Sequence, residues 1–437
     1  MYSEPIAISL LLGLFIFLLV LRIPITLSLI FSSLITAMYI QIPLTAVIQK
    51  MITGIENFSL LAIPFFIVAG QIMAEGGITR RIIDFSNVLI GRYRGGMAQI
   101  NVLASMFFGG VSGSAVADVS SIGVMLIPMM KKKGYHTDFS VAVTVSSACQ
   151  GVIIPPSHNM IIYAFAAGGV SVGRLFLGGM MPGIFLGLAL MVLCAVISVK
   201  RNYPKEAPYP FKEAIKIMVE SSLGLFTFII IMGGVISGLF TATESAAIAC
   251  LYAFIIAAFV YKELNFQKIQ HIFYSSLKTL AMVMALIAAA SAYGHLLALL
   301  KVPAKATEAL LSLTSNKYLL LLLINILLLV LGCIMDMAPL ILIVTPILYP
   351  VVVNELGMDP VHFGVMLILN LAIGLCTPPV GGALFVGCAI GDIKIEKVTK
   401  ALLPFYFIMV AVLILITFVP FFSTFIPDLI MPAIAAK

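Results

Sequence analysis

Tryptophan is absent from the 437 residues, and charged side chains make up only 10% of them. A soluble domain of ordinary composition carries about 25% charge. With 62% of the chain hydrophobic, no soluble fold of this length has enough polar surface to cover the rest. The missing tryptophan leaves tyrosine and phenylalanine to serve as anchors at a membrane interface. Cysteine is sparse and scattered: Cys149, Cys194, Cys250, Cys333, Cys376 and Cys388 sit singly in apolar runs, without paired metal-ligand spacing. The five histidines (His136, His158, His271, His295, His362) do not cluster, and no His-Glu-x-x-His motif occurs. The Gly/Ser-rich stretch around Gly113 has no base near it in sequence. A Walker A loop is lacking too, which excludes an ATP-driven pump. An intramembrane enzyme is therefore not expected.

What the chain does have is long apolar runs. Residues 6–21, 23–40, 139–173, 175–199, 221–243, 245–260, 279–294, 318–335, 337–353 and 398–426 are almost free of charge. A spanning helix needs about 20 such residues, so the runs predict roughly ten to twelve spans or partial spans. The first run is too long for a signal peptide and lacks a small-residue cleavage site, so it reads as retained. The net charge of +7 fits basic cytoplasmic loops of a multi-pass protein in membrane lipid and does not suggest nucleic acid.

One linker stands out, Lys200 to Lys212, with three prolines and with Lys200, Arg201, Lys205 and Lys212. Helices stop before such a run, and its basic character places it in the cytoplasm. It divides the chain into halves that resemble each other. The interval from Asp118 to Pro128 equals that from Asp336 to Pro346. Each half then has a proline pair, Pro155-Pro156 and Pro378-Pro379, with Gly151 and Gly374 at the same distance before it. Amphipathic stretches near 79–91, 212–220 and 262–278 read as helices lying in the interface plane.

Each half opens with an odd segment. Residues 97–130 are mostly apolar, but their centre, Gly109 to Asp118, is rich in glycine and serine. The stretch is too short for two spans and too broken for one, so it predicts a re-entrant hairpin with Ser112–Ser114 at its tip. Arg92 and Arg94 before it, and Lys131, Lys132 and Lys133 after it, put both ends on the cytoplasmic side. The second hairpin, 318–353, is followed by Asn354, Glu355 and Asp359 and by no basic cluster. That suggests the opposite side. Two similar hairpins entering from opposite faces predict an inverted-topology repeat. The proline pairs then break two spans, 139–173 and 361–390. Proline removes a donor and clashes with a carbonyl four residues back. Carbonyls left bare at membrane depth are costly unless something satisfies them, and unwound carbonyls are how transporters coordinate sodium.

The strings SGSAVAD at 112–118, PPS at 155–157, GLFTATESAA at 238–247 and GLCTPPVG at 374–381, with Ala-Ile-Pro-Phe-Phe at 62–66, resemble the large membrane subunit of tripartite ATP-independent periplasmic (TRAP) transporters over essentially the whole chain. The resemblance implies an all-α polytopic protein of the bacterial inner membrane working as an elevator. It implies sodium-coupled uptake of a small carboxylate such as a C4-dicarboxylate, keto acid, sugar acid or sialic acid. It implies two partners, a small four-helix membrane subunit and a periplasmic substrate-binding protein. Carried over residue by residue, the first sodium site uses Ser112, Ser114, Gly151, Ile154 and Pro156. The second uses Gly332, Gly374, Thr377 and Val380. A single-component sodium/carboxylate symporter of the same inverted-repeat fold is the alternative.

Ser157, His158 and Asn159 follow the first break and are candidates to meet the substrate, because half-helix N-termini attract anions. His295 is a further candidate, the one basic group deep in its apolar neighbourhood before Lys301. Asp118 and Asp336 lie in apolar segments, where a carboxylate is costly. We read both as caps of half-helix N-termini that stabilise the hairpin bends, and Glu244 as part of a scaffold helix cap. The expected organisation has N-terminal scaffold helices and an arm (1–91), a first transport-domain repeat (92–199), and a linker with an interfacial helix (200–220). A second scaffold segment with its arm (221–278), a second transport-domain repeat (279–397) and a C-terminal helix (398–437) follow.

Overall fold

The computed structural model describes residues 3–432 apart from 208 and 315. Among the described residues it is entirely helical, without a strand. The first group of helices is α1 (Glu4–Val20), α2 (Ile25–Tyr39), α3 (Leu44–Ile55), α4 (Ala62–Glu75, led by a 3-10 turn) and α5 (Ile78–Ile90). Next come α6 (Gly96–Ser112), α7 (Ala115–Asp118), a π-helical turn (Val119–Gly123), α8 (Val124–Lys132), α9 (Thr137–Gly151), α10 (His158–Ala166) and α11 (Val172–Lys200). Then α12 (Phe211–Ile236), α13 (Ala242–Ile255), α14 (Phe266–Leu299) and α15 (Val302–Leu313) lead into α16 (Lys317–Gly332) and α17 (Met337–Tyr349). The chain ends with α18 (Pro360–Leu375), α19 (Gly382–Gly391), α20 (Ile395–Phe418) and α21 (Phe421–Ile430). Among the described residues, seven helical stretches are long and apolar enough to cross a membrane: Phe58–Glu75, Val172–Lys200, Phe211–Ile236, Ala242–Val260, Phe266–Leu299, Met337–Glu355 and Ile395–Phe418. The other apolar runs form shorter helices, because turns and proline pairs cut them.

The segment 97–130 folds as α6 and α7–α8 about a turn at Gly113, whose φ of +59° suits glycine. The segment 318–353 folds as α16 and α17 about residues 333–336. Both proline-pair runs are interrupted helices, α9/α10 and α18/α19, and in each the Pro–Pro bond is cis. α9 and α18 lie at the centre of the molecule: Phe139 to Gly151 and Val361 to Leu375 are buried without exception. A helix apolar on all sides belongs inside; α9 lies there too, and most of its buried polar residues are serines and threonines that return their hydroxyls to its own backbone, as Ser146 does to Ala142 O at 2.7 Å. Around this centre α6 packs on α9 and α16 on α18, while α4 pairs with α13 and α14 lies against α2 and α3.

Three boundaries differ from those expected. Residues 212–220 are the opening turns of α12, and 266–278 are those of α14, so neither is a separate in-plane helix. No proline interrupts either sequence, so the hydrogen-bond ladder runs from a polar stretch into an apolar one. The boundary drawn at 278/279 therefore falls inside a single helix. The C-terminal segment is two helices, α20 and α21, with the break at Val419–Pro420. Residues 433–437 of that segment and Pro208 of the linker lie outside the described residues. The linker is strapped to the base of α6–α8. Tyr203 stacks on Tyr135 at 4.3 Å, Lys133 pairs with Glu206, and Gly95 N donates to Pro204 O at 3.1 Å.

Candidate functional site

Glycine brings each hairpin against its interrupted helix. A Cβ built on Gly151 would stand 2.9 Å from Gly109 Cα, and one built on Gly374 would stand 2.5 Å from the carbonyl carbon of Gly332. Real side chains do not fit at such distances, so in both halves two backbones touch where the helix is about to break. The pairs Gly109–Gly151 and Gly332–Gly374 have the same sequence separation.

At the first break, residues 152–157 leave the helix and α10 starts again at His158. The loop is wholly buried. Asn159 donates from Nδ2 to Gly113 O at 2.9 Å, tying the hairpin tip to the new helix. Ser112, Ser114, Gly151, Ile154 and Pro156 thus gather around one junction: a Cβ on Gly110 would meet Pro155 O at 2.8 Å, and one on Gly113 would meet His158 N at the same distance. Two oxygens there, Ser112 Oγ and Ser157 Oγ, are buried without a partner among the described residues, as is His158 Nδ1. An unpaired buried hydroxyl is costly. Oxygen donors bared by an unwound helix suit a hard cation, and the N-terminus of α10 suits an anion.

At the second break, α18 ends at Leu375 and α19 begins at Gly382. Val380 N donates to Cys333 O at 3.0 Å across to the hairpin turn. The Thr377 hydroxyl donates to Ile373 O at 2.7 Å, which leaves its oxygen lone pairs free. Tyr406 donates to Cys376 O at 2.6 Å. Gly332, Gly374, Thr377 and Val380 therefore also share one junction, but this one opens outward, with Val380 47% exposed.

The carboxylates divide. Asp336 caps α17 through Met337 N at 2.8 Å. Asp118 does not cap, and that expectation is corrected. Ser114 holds the cap position of α7, accepting from Ala117 N at 3.3 Å. Asp118 lies four residues further on, where its side chain reaches the other arm of the hairpin and accepts from Ser105 Oγ at 3.2 Å. Glu244 and Thr241 form a capping box at the start of α13, with Thr241 N donating to Glu244 at 2.8 Å. His295 stands apart from the other substrate candidates, half-buried on α14, which packs chiefly on α2, α3, α4 and α17.

Sequence reasoning missed Gly109 and a buried polar chain behind the first break. Asn101 Nδ2 donates to Thr144 Oγ1 at 2.6 Å, Ser147 Oγ to Asn101 Oδ1 at 3.2 Å, and Ser105 and Ser147 hydroxyls lie 3.4 Å apart. Gly109 was legible as the counterpart of Gly332. The serines were not, since a helical serine most often bonds only its own backbone.

The chain matches the family described as "Tripartite ATP-independent periplasmic transporter, DctM component" over residues 12–422. It belongs to this family. It is 41% identical over 435 residues to the uncharacterized protein YgiK of Salmonella typhimurium, covering 99% of each chain. It is 39% identical over 383 residues to the sialic acid TRAP transporter large permease protein SiaM of Vibrio cholerae, covering 88% of this chain and 89% of that one. It is 37% identical over 447 residues to the C4-dicarboxylate TRAP transporter large permease protein DctM of Vibrio cholerae, covering 97% and 98%. Among solved structures, the YdaH transporter of Alcanivorax borkumensis superposes with a TM-score of 0.62 at 14% identity over 86% of this chain and 88% of that one, a likeness of fold. SiaM and DctM are named as transporter permeases and not as enzymes. The large TRAP permease is thus a multi-pass membrane protein.

Proposed function

We propose that this TRAP permease carries out sodium-coupled secondary uptake of a small organic acid across the bacterial inner membrane. The observation that carries the reading is the repeated junction, a glycine-to-glycine contact between a hairpin and a helix broken at a proline pair, found once in each half. At the first junction sodium is held by carbonyls and hydroxyls of Ser112, Ser114, Gly151, Ile154 and Pro156. At the second it is held by Gly332, Gly374, Thr377 and Val380. The bare hydroxyls of Ser112 and Ser157 and the free lone pairs of Thr377 fit an oxygen-bound cation. The substrate's acid group meets the N-terminus of α10 with Ser157, His158 and Asn159; His295, on α14, is a further candidate to meet it. Relatives named for sialic acid and C4-dicarboxylates support a carboxylate.

The two halves form an inverted repeat whose hairpins and interrupted helices slide as one body against the remaining helices, in an elevator cycle. A small four-helix membrane subunit extends that scaffold, and a periplasmic binding protein delivers the substrate. Reconstituted with those partners, the permease loses uptake when the inward sodium gradient is collapsed. Undiminished uptake after the collapse would overturn the sodium reading. Transport of free substrate by the isolated chain would favour a single-component symporter.

A further inference from the structure

Asp118 is fully buried and takes part in no ion pair among the described residues. One carboxylate oxygen accepts from Ser105 Oγ, and the other, Oδ2, has no partner. The elements packed against α7 are α6, the following π-helical turn, α9 and α19, and none of them contains a lysine, arginine or histidine. The protein has therefore buried a carboxyl group and supplied no basic partner for it. Removing a carboxylate from water without compensation costs several kcal/mol or more. Asp336, its counterpart by sequence interval, has no such problem, because it spends its side chain on the α17 cap.

The unpaired oxygen also points somewhere specific. A Cβ on Gly151 would lie 3.1 Å from Asp118 Oδ2 and 2.9 Å from Ser105 O. Both oxygens thus face the backbone of the residue where α9 begins to unwind. We propose that Asp118 supplies the counter-charge for the sodium ion at the first helix break, acting across Gly151 and not as a cap. The inference rests on the sodium reading given above. Ser105 orients the carboxylate, and Ser147 and Asn101 hold Ser105 in place. Sodium then does two things at once: it satisfies the bare carbonyls, and it offsets the cost of ionising a buried carboxyl group that has no basic partner. At the second break the corresponding carboxylate, Asp336, is engaged in the α17 cap, so the two sites differ in what the ion must balance.

The test is sodium titration of thermal stability of the purified full-length chain, with choline chloride holding ionic strength, followed by sodium and substrate titrations of uptake with its partners. Asp118→Asn keeps the shape, and its oxygen still accepts from Ser105. It removes the charge and puts an amide nitrogen where Oδ2 stood. It weakens the sodium dependence roughly ten- to hundred-fold while leaving the midpoint without sodium unchanged or raised. Ser105→Ala keeps the charge but frees it, and shifts sodium half-saturation in the same direction by a smaller factor. Substrate half-saturation at saturating sodium stays at the wild-type value in both. A purely structural Asp118 predicts a lowered midpoint and an unchanged sodium dependence. Wild-type sodium dependence in a folded Asp118→Asn or Ser105→Ala chain overturns this assignment and leaves the sodium reading standing. A wild-type chain indifferent to sodium overturns both.

Discussion

The two helix breaks have the same plan and opposite surroundings. The first is sealed: residues 151–157 are all buried, and its oxygens include Ser112 Oγ and Ser157 Oγ without partners. The second is open: Thr377 and Pro378 are half-buried, and Pro379 and Val380 are exposed. Three of its polar groups have protein partners: Val380 N on Cys333 O, the Thr377 hydroxyl on Ile373 O and the Tyr406 hydroxyl on Cys376 O. A repeated backbone motif has thus become two sites of different need. In the proposed reading the first, whose serine oxygens are unpartnered among the described residues, depends on an ion to complete it. In the same reading the second, partly bonded already and more exposed, leans less on its ion.

The most severe way to break the comparison is to separate the backbones that both sites share. Gly151→Val and Gly374→Val drive a side chain into Gly109 or Gly332, where only backbone is available to move. Each destabilises the chain by about 1–3 kcal/mol or more, read as loss of folded protein in membranes. If both variants express and transport normally, the glycine contacts are incidental. Proline replacement comes next and separates the breaks. Pro156→Ala lets the helix re-form and hides carbonyls, weakening sodium half-saturation of uptake roughly 10- to 150-fold, as expected for about 1.5–3 kcal/mol of charge-assisted bonding. Pro379→Ala has a smaller effect, because its neighbours are already bonded. Equal effects would remove the asymmetry.

These positions were legible from sequence because their chemistry is local. A proline pair breaks a helix wherever it stands, and a Gly/Ser-rich tip in an apolar run has few other uses. The hairpin limits and the interrupted helices follow directly from Gly113, Pro155-Pro156 and Pro378-Pro379. The role of Asp118 was not legible, because it depends on Ser105 arriving from the facing helix. The merged helices α12 and α14 were misread for a related reason. A change from polar to apolar composition marks a change of environment, not the end of a hydrogen-bond ladder.

Two smaller effects sharpen the contrast. Thr377→Val keeps the volume and removes the one side-chain hydroxyl assigned to the second site. It weakens sodium binding there without lowering expression, since only its bond to Ile373 O is lost, at about 0.5–1.5 kcal/mol. Cysteine placed at Val380 reacts with an aqueous maleimide and cysteine at Ile154 does not, because one is 47% exposed and the other 6%. Equal labelling would mean that the first break is as open as the second.

The most direct measurement is equilibrium binding of radioactive sodium to the purified full-length chain. At a sodium concentration that just fills both wild-type sites, the account predicts two ions for the wild type and fewer for each variant, with Thr377→Val keeping the first site at wild-type affinity and Pro156→Ala the second. A wild type that binds none, or variants that bind as the wild type does, would contradict it.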